Sequence, residues 1–179
     1  MIFTPAGLDG VFRLDLELRT DPRGHFARTW CAGEFAAHGL PASFVQCNLS
    51  FNERRGTLRG LHWQADPHPE GKLVRCTRGA IFDVAIDMRP GSPTLHRWIG
   101  YDLSAENGRS LFIPGGFAHG FQTLTDGAEV FYQMTETYHP GLSRGARWDD
   151  PAFAIAWPLE NPILSERDAG YPLLAGRPG

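Results

Sequence analysis

Ser110-Leu-Phe-Ile-Pro-Gly-Gly-Phe-Ala-His-Gly-Phe-Gln-Thr-Leu-Thr-Asp-Gly-Ala-Glu-Val-Phe-Tyr-Gln-Met-Thr135 holds three short runs rich in branched and aromatic residues, 110–113, 119–124 and 128–135. Pro114-Gly115-Gly116 and Asp126-Gly127 separate them, and brief apolar runs bounded by turn formers read as strands. In the last run Val130, Tyr132 and Met134 point one way and Phe131 and Gln133 the other, because side chains alternate across a strand. The same period extends toward the N-terminus through 98–103, 80–88, 72–76, 57–63, 44–50 and 11–18. Turn signals such as Asn107-Gly108, Pro90-Gly91-Ser92-Pro93, Arg78-Gly79, Arg54-Arg55-Gly56 and Pro22-Arg23-Gly24 punctuate it. Many short strands at this spacing predict an all-β sandwich or barrel. Helix signals are confined to two short flanking stretches: Ala32 to His38, with Gly39 as the stop, and Ile163 to Ala169, opened by Pro162 and closed by Gly170.

The chain has 179 residues, room for one domain spanning 1–179. It is 42% hydrophobic and 21% charged, which fits a globular protein and neither a disordered tail nor a membrane protein. A net charge of −3 argues against a nucleic-acid binder, which carries a basic excess on at least one face. Cys31, Cys47 and Cys76 are odd in number and lack metal-type spacing, so neither a disulfide framework nor a zinc knuckle is indicated. No basic-then-apolar leader and no long apolar run is present, so the expectation is a soluble, cytoplasmic protein. Of 17 basic residues only Lys72 is a lysine.

Alternation also sorts the polar residues. His62 shares parity with Gly60 and Leu58, and Lys72 with Val74 and Cys76, which places an imidazole and an ammonium on inward faces. Inward polar groups are costly unless paired or used, and the interior of a small β-barrel is where a small-molecule site forms. Histidine, with an ordinary pKa of about 6.5, can carry protons at neutral pH. Tyr132 reads either as a packed aromatic or as a general acid. Asp168 reads either as a solvated acid or as a carboxylate folded back on the barrel. The Pro-Gly turn before His119 is similar to a cupin turn that supplies a metal ligand. There is, however, no His-x-His pair, and His68, Glu70 and His96 lack ligand spacing, so no metal is expected.

Taken together, Arg59-Gly-Leu-His62, Gly71-Lys-Leu-Val-Arg75, Phe82-Asp-Val84, Leu103-Ser-Ala-Glu-Asn107, Ile113-Pro114, Gly116-Phe-Ala-His-Gly-Phe121, Arg147-Trp-Asp-Asp-Pro151 and Leu164-Ser165 with Asp168 resemble the dTDP-4-dehydrorhamnose 3,5-epimerases of deoxysugar biosynthesis. The resemblance runs from about Gly10 to Leu174. It implies a cupin-type jelly-roll barrel with short flanking helices and no cofactor. It also implies a homodimer that exchanges N-terminal strands from about 1–30, and a nucleotide-diphosphate sugar as substrate. By this resemblance His62 is the base, Asp168 orients its ring, Lys72 stabilises an enolate oxygen and Tyr132 returns a proton from the other face at C5. Arg59, and Arg23 from the partner, meet the diphosphate, and Phe26 covers the base. Gln46, Asn48, His119 and Tyr138 face the sugar or nucleotide.

Five positions depart from the family's commonest pattern. Trp63 and Arg28 replace tyrosine and glutamate, Gln133 replaces lysine, and Gln46-Cys47-Asn48-Leu49-Ser50 replaces Gln-Asp-Asn-His-Ser. Two other readings of the chain are a metal-dependent cupin dioxygenase or isomerase using His62 and His119, and a non-catalytic sugar-nucleotide-binding barrel.

Overall fold

In a computed structural model, which describes residues 1–174, the strands form two antiparallel sheets. One sheet has the spatial order β1 (Ile2–Pro5), β2 (Phe12–Asp15), β10 (Ser110–Ile113), β7 (Lys72–Arg78), β12 (Ala128–Met134) and β5 (Gln46–Asn52). The other runs β13 (Ser143–Gly145), β6 (Leu58–Gln64), β11 (Phe117–Thr123), β8 (Ala80–Asp87) and β9 (Trp98–Ser104). A separate exposed hairpin joins β3 (Arg19–Asp21) to β4 (Gly24–Phe26). The architecture is the expected all-β jelly roll. Among the described residues no helix is long and apolar enough to cross a membrane.

Three apolar clusters follow from the alternation. Between the sheets lie Val74, Cys76, Ile81, Ala85, Leu111, Phe117, Phe121 and Val130, with Tyr132 packed against them. Leu61, Val84, Ile86 and Ala118 point out of the five-stranded sheet and are covered by Phe153, Ile155 and Trp157. Leu14, Leu73 and Phe112 point out of the six-stranded sheet, where α1 (Ala32–Ala37) lays the fully buried Phe35 over them. That cover stops at β7. Beyond it the outward residues Leu49 and Phe51 of β5 remain 60% and 50% exposed.

Two expectations need correction. The C-terminal helix is only α2 (Glu166–Ala169), with Ser165 rather than Pro162 at its start. Ile163 is extended, bridging Thr57, with its N–H donating to the Gly56 carbonyl and its own carbonyl accepting from Leu58. This backbone pairing pins the segment to the start of β6, and only after it does the Ser165 hydroxyl cap the helix by accepting from the Asp168 N–H at 3.1 Å. The second correction concerns β6. His62 pairs with His119 and Arg59 with Phe121, so three steps along β6 match two along β11. The extra residue is a bulge, and it turns Arg59 to the same inner side as His62, against the simple parity reading.

The bulge needs glycine on both strands. Gly60 has φ +134°, and a Cβ there would lie 2.6 Å from Cα of Gly120. Gly60→Ala is expected to destabilise the fold by about 2–4 kcal/mol in urea denaturation, from backbone strain and overpacking together. Gly33→Ala in α1, where a Cβ meets open space, is expected to stabilise it by up to about 1 kcal/mol. Equal effects at the two positions would contradict this account of the bulge.

Candidate active site

The inner faces of the two sheets converge on a cavity of about 420 Å³ lined by Arg59, His62, His119 and Phe121 from one sheet and Lys72, Tyr132 and β5 from the other. Asp168 reaches it from α2. An adjoining lobe of about 190 Å³ is lined by Gln46, Asn48, Trp63, Glu70, Met134 and Tyr138. His62, Lys72 and Tyr132 belong to both lobes and therefore stand at their junction. The combined volume suits a small-molecule ligand.

Each inward charge carries its own partner. Nε2 of His62 lies 2.7 Å from Oδ1 of Asp168, whose side chain is 7% exposed. Burial pushes the Asp168 carboxyl up, but the His62 hydrogen bond and charge, the Gly60 N–H and the Ser165 hydroxyl outweigh it, and the net shift is downward. An ionised Asp168 accepts the Nε2 proton, which leaves the lone pair of the neutral ring on Nδ1. His119 repeats the arrangement, with Nε2 at 2.7 Å from Oδ1 of the fully buried Asp83. Nζ of Lys72 lies 2.8 Å from Oε1 of Glu70, and both side chains are about nine-tenths buried. The Arg59 guanidinium donates to Oδ1 of Asn52 at 2.7 Å, and Asn52 in turn donates to the Ala128 carbonyl.

Tyr132 differs from these. Its ring packs on the core, and no side chain or backbone group among the described residues is hydrogen-bonded to its hydroxyl. Burial raises its pKa, partly opposed by Arg59 and assisted by Glu70, so the phenol keeps its proton well beyond neutral pH. A base with a fixed tautomer, an ammonium and a protonated phenol thus surround one junction. That set can remove a proton from carbon, stabilise the resulting enolate and return a proton.

Of the residues expected at the site, His62, Lys72, Tyr132, Asp168, Arg59, His119, Gln46, Asn48 and Tyr138 line the two lobes. Arg23, Phe26 and Arg28 do not. Arg23 sits at the tip of the exposed hairpin paired with Asp21, Phe26 is 69% exposed, and Arg28 pairs with Glu34 at 2.9 Å. Sequence reading did not identify Glu70 as the partner of Lys72, Asp83 as that of His119, or Asn52 as that of Arg59. Asp83 was legible in principle, as an acid at an inward position of a strand reading Ile81-Phe-Asp-Val84. His62 and His119 do not converge with a third ligand: among the described residues the single group of three metal-type donors lies elsewhere.

A family model described as dTDP-4-dehydrorhamnose 3,5-epimerase matches residues 5–176. A protein of that name from Methanothermobacter thermautotrophicus is 48% identical over 179 residues, which span 98% of this chain and 96% of that protein. The crystal structure of the Bacillus anthracis dTDP-4-dehydrorhamnose 3,5-epimerase with TDP and PPi bound matches with a TM-score of 0.93 at 40% identity, covering 97% of this chain and 99% of that one. A Legionella pneumophila epimerase in complex with dTDP-4-keto-L-rhamnose gives a TM-score of 0.91 at 40% identity, with 97% and 93% covered. With sequence and fold shared across nearly its whole length, this chain belongs to the dTDP-4-dehydrorhamnose 3,5-epimerase family.

Proposed function

We propose that this chain is an isomerase that inverts the carbons flanking the C4 ketone, C3 and C5, of a dTDP-linked 4-keto-6-deoxyhexose in dTDP-rhamnose-type biosynthesis, in the cytoplasm. The observation that carries this reading is the junction where His62 with Asp168 meets Lys72 and Tyr132 from the opposite sheet. Nδ1 of His62 takes the proton alpha to the ketone. The C–H electron pair moves into the enolate and the negative charge collects on the C4 oxygen beside the Lys72 ammonium. Asp168 holds the imidazolium so formed. Tyr132 gives its proton to the same carbon from the other face, and solvent restores the phenol and removes the proton from His62. The net change is inversion alone, with one solvent hydrogen left at the carbon.

Arg59 and its Asn52 anchor suit the diphosphate, since a planar fork meets phosphate oxygens in pairs. Gln46 and Asn48, joined by a 3.2 Å hydrogen bond, and His119 and Tyr138 offer polar contacts for the sugar and the nucleotide. A homodimer is supported by the uncovered outer face of β5 and by the exposed β3–β4 hairpin, which carries Arg23 and Phe26 free of the chain's own cavity. In this arrangement residues from about 1–30 reach the partner's site, with Arg23 on the diphosphate, Phe26 on the base and Arg28 nearby.

In deuterated water with dTDP-4-keto-6-deoxyglucose, the product is expected to carry deuterium at C3 and C5. Uptake at a single centre would restrict the chain to monoepimerisation, and no uptake by folded protein would overturn the reading. His62→Asn, Asp168→Asn and Tyr132→Phe are each expected to lower kcat by about 10²–10⁴-fold with little change in substrate affinity. Near-normal turnover in these variants would favour a binding barrel instead.

Lys72→Arg keeps the charge but replaces a compact ammonium by a rigid fork in a nine-tenths buried slot beside Glu70, and is expected to lower kcat by about tenfold or more. Normal steady-state turnover would remove Lys72 from the mechanism.

Phe51→Glu, at a side chain that also borders the cavity, is expected to yield monomers in analytical ultracentrifugation. A wild-type chain that sediments as a monomer would exclude the dimer.

A further inference from the structure

Away from the catalytic junction, the loop after β6 and the segment after β12 bring His68, Glu136 and His139 together, with donor atoms within 4.8 Å of one another. Nδ1 of His68 lies 3.4 Å from Oε2 of Glu136, and Nε2 of His139 lies 3.9 Å from Oε1 of the same carboxylate. The two imidazoles stack at 4.3 Å with an interplanar angle of 14°. We propose that these three side chains form a site for one divalent transition-metal ion of the zinc class.

Ligands held about 2.0–2.1 Å from a tetrahedral zinc are separated by about 3.3 Å. His68 already stands near that spacing from the carboxylate, while His139 has to close by about half an ångström and the two rings have to turn out of their stack to aim their lone pairs at one ion. Two imidazole nitrogens and one carboxylate suit zinc, cobalt or nickel, whereas calcium and magnesium want all-oxygen shells. The fourth position is open to water, since the three side chains are 45%, 33% and 38% exposed.

The site is also held in shape from behind. Gln64, 2% exposed, donates through Nε2 to the His68 carbonyl at 2.6 Å and to the Thr137 carbonyl at 3.1 Å, and accepts the His139 N–H on Oε1 at 2.7 Å. One buried amide therefore fixes the backbone of both ligand-bearing segments. The Thr137 N–H and hydroxyl donate to Oε1 of Glu136 at 2.8 and 3.1 Å and orient the carboxylate. Hydrogen bonds of this kind, behind the ligands, set metal affinity. A bound ion clips the β6–β7 loop to the segment carrying Tyr138, which borders the smaller lobe. The ion stabilises that wall and takes no part in proton transfer.

Isothermal titration of the chelator-stripped full chain with zinc chloride tests the site, with cobalt absorption as a second readout. One saturable zinc per chain is expected. His68→Ala, Glu136→Gln and His139→Ala are each expected to weaken it by about tenfold or more, with His25→Ala unchanged. Zinc should raise the melting temperature of the wild type and leave that of His139→Ala where it was. All three changes are at partly exposed side chains, so the variants should fold. No saturable binding by the wild type, or undiminished affinity in any one of the three variants, overturns the proposal.

Discussion

The 2.7 Å hydrogen bond between His62 and Asp168 joins the interior of the barrel to a helix of four residues near the end of the chain. Asp168 is buried, and a carboxylate cannot be buried without hydrogen-bond donors; it finds them in the imidazole, the Gly60 N–H and the Ser165 hydroxyl. Each of these donors has a structural cost elsewhere. Gly60 is available because a bulge with positive φ opens β6, and the bulge exists because Gly120 lets the two strands approach. Ser165 is in place because Ile163 is strung along the start of β6. The ring tautomer, the placement of α2 and the inward turn of Arg59 are consequences of one buried contact.

Three further polar side chains of the cavity obey the same rule by different means. His119 is matched by Asp83, Lys72 by Glu70 and Arg59 by Asn52, each within 3 Å. Such pairing keeps isolated charge out of the apolar space between the sheets and fixes each side chain before any ligand arrives. Tyr132 has no such partner, and burial raises its pKa. In the proposed mechanism Tyr132 holds a proton and then gives it up, and an environment that disfavours its anion suits that role.

Much of this was legible in the sequence. Period-two alternation located nine strands to within a few residues and placed Lys72, Tyr132 and His62 on inward faces, because burial on one side of a sheet imposes that period. It failed at β6, where an inserted residue inverts parity for one step and no local pattern marks a bulge from an ordinary strand glycine. It also missed the short strands whose few residues carry no measurable alternation, such as Ser143–Gly145. The C-terminal helix came out shorter than its Pro162 and Gly170 boundaries suggest, because a backbone pairing with residues a hundred positions away took Ile163. The grouping of His68 with Glu136 and His139 was hidden for the same reason, since those two lie about seventy positions away.

The linear chain already carried the all-β class, the inward or outward sense of most strand residues and, through its ordered motifs, the family. Those are properties of local periodicity and of residue identity, which a linear chain carries explicitly. The partner of each inward group emerged only on folding: Asp168 for His62, Asp83 for His119, Glu70 for Lys72 and Asn52 for Arg59. Pairing of that kind depends on strand register and on a bulge, both set by packing between segments far apart in the chain, and desolvation then makes each pairing obligatory.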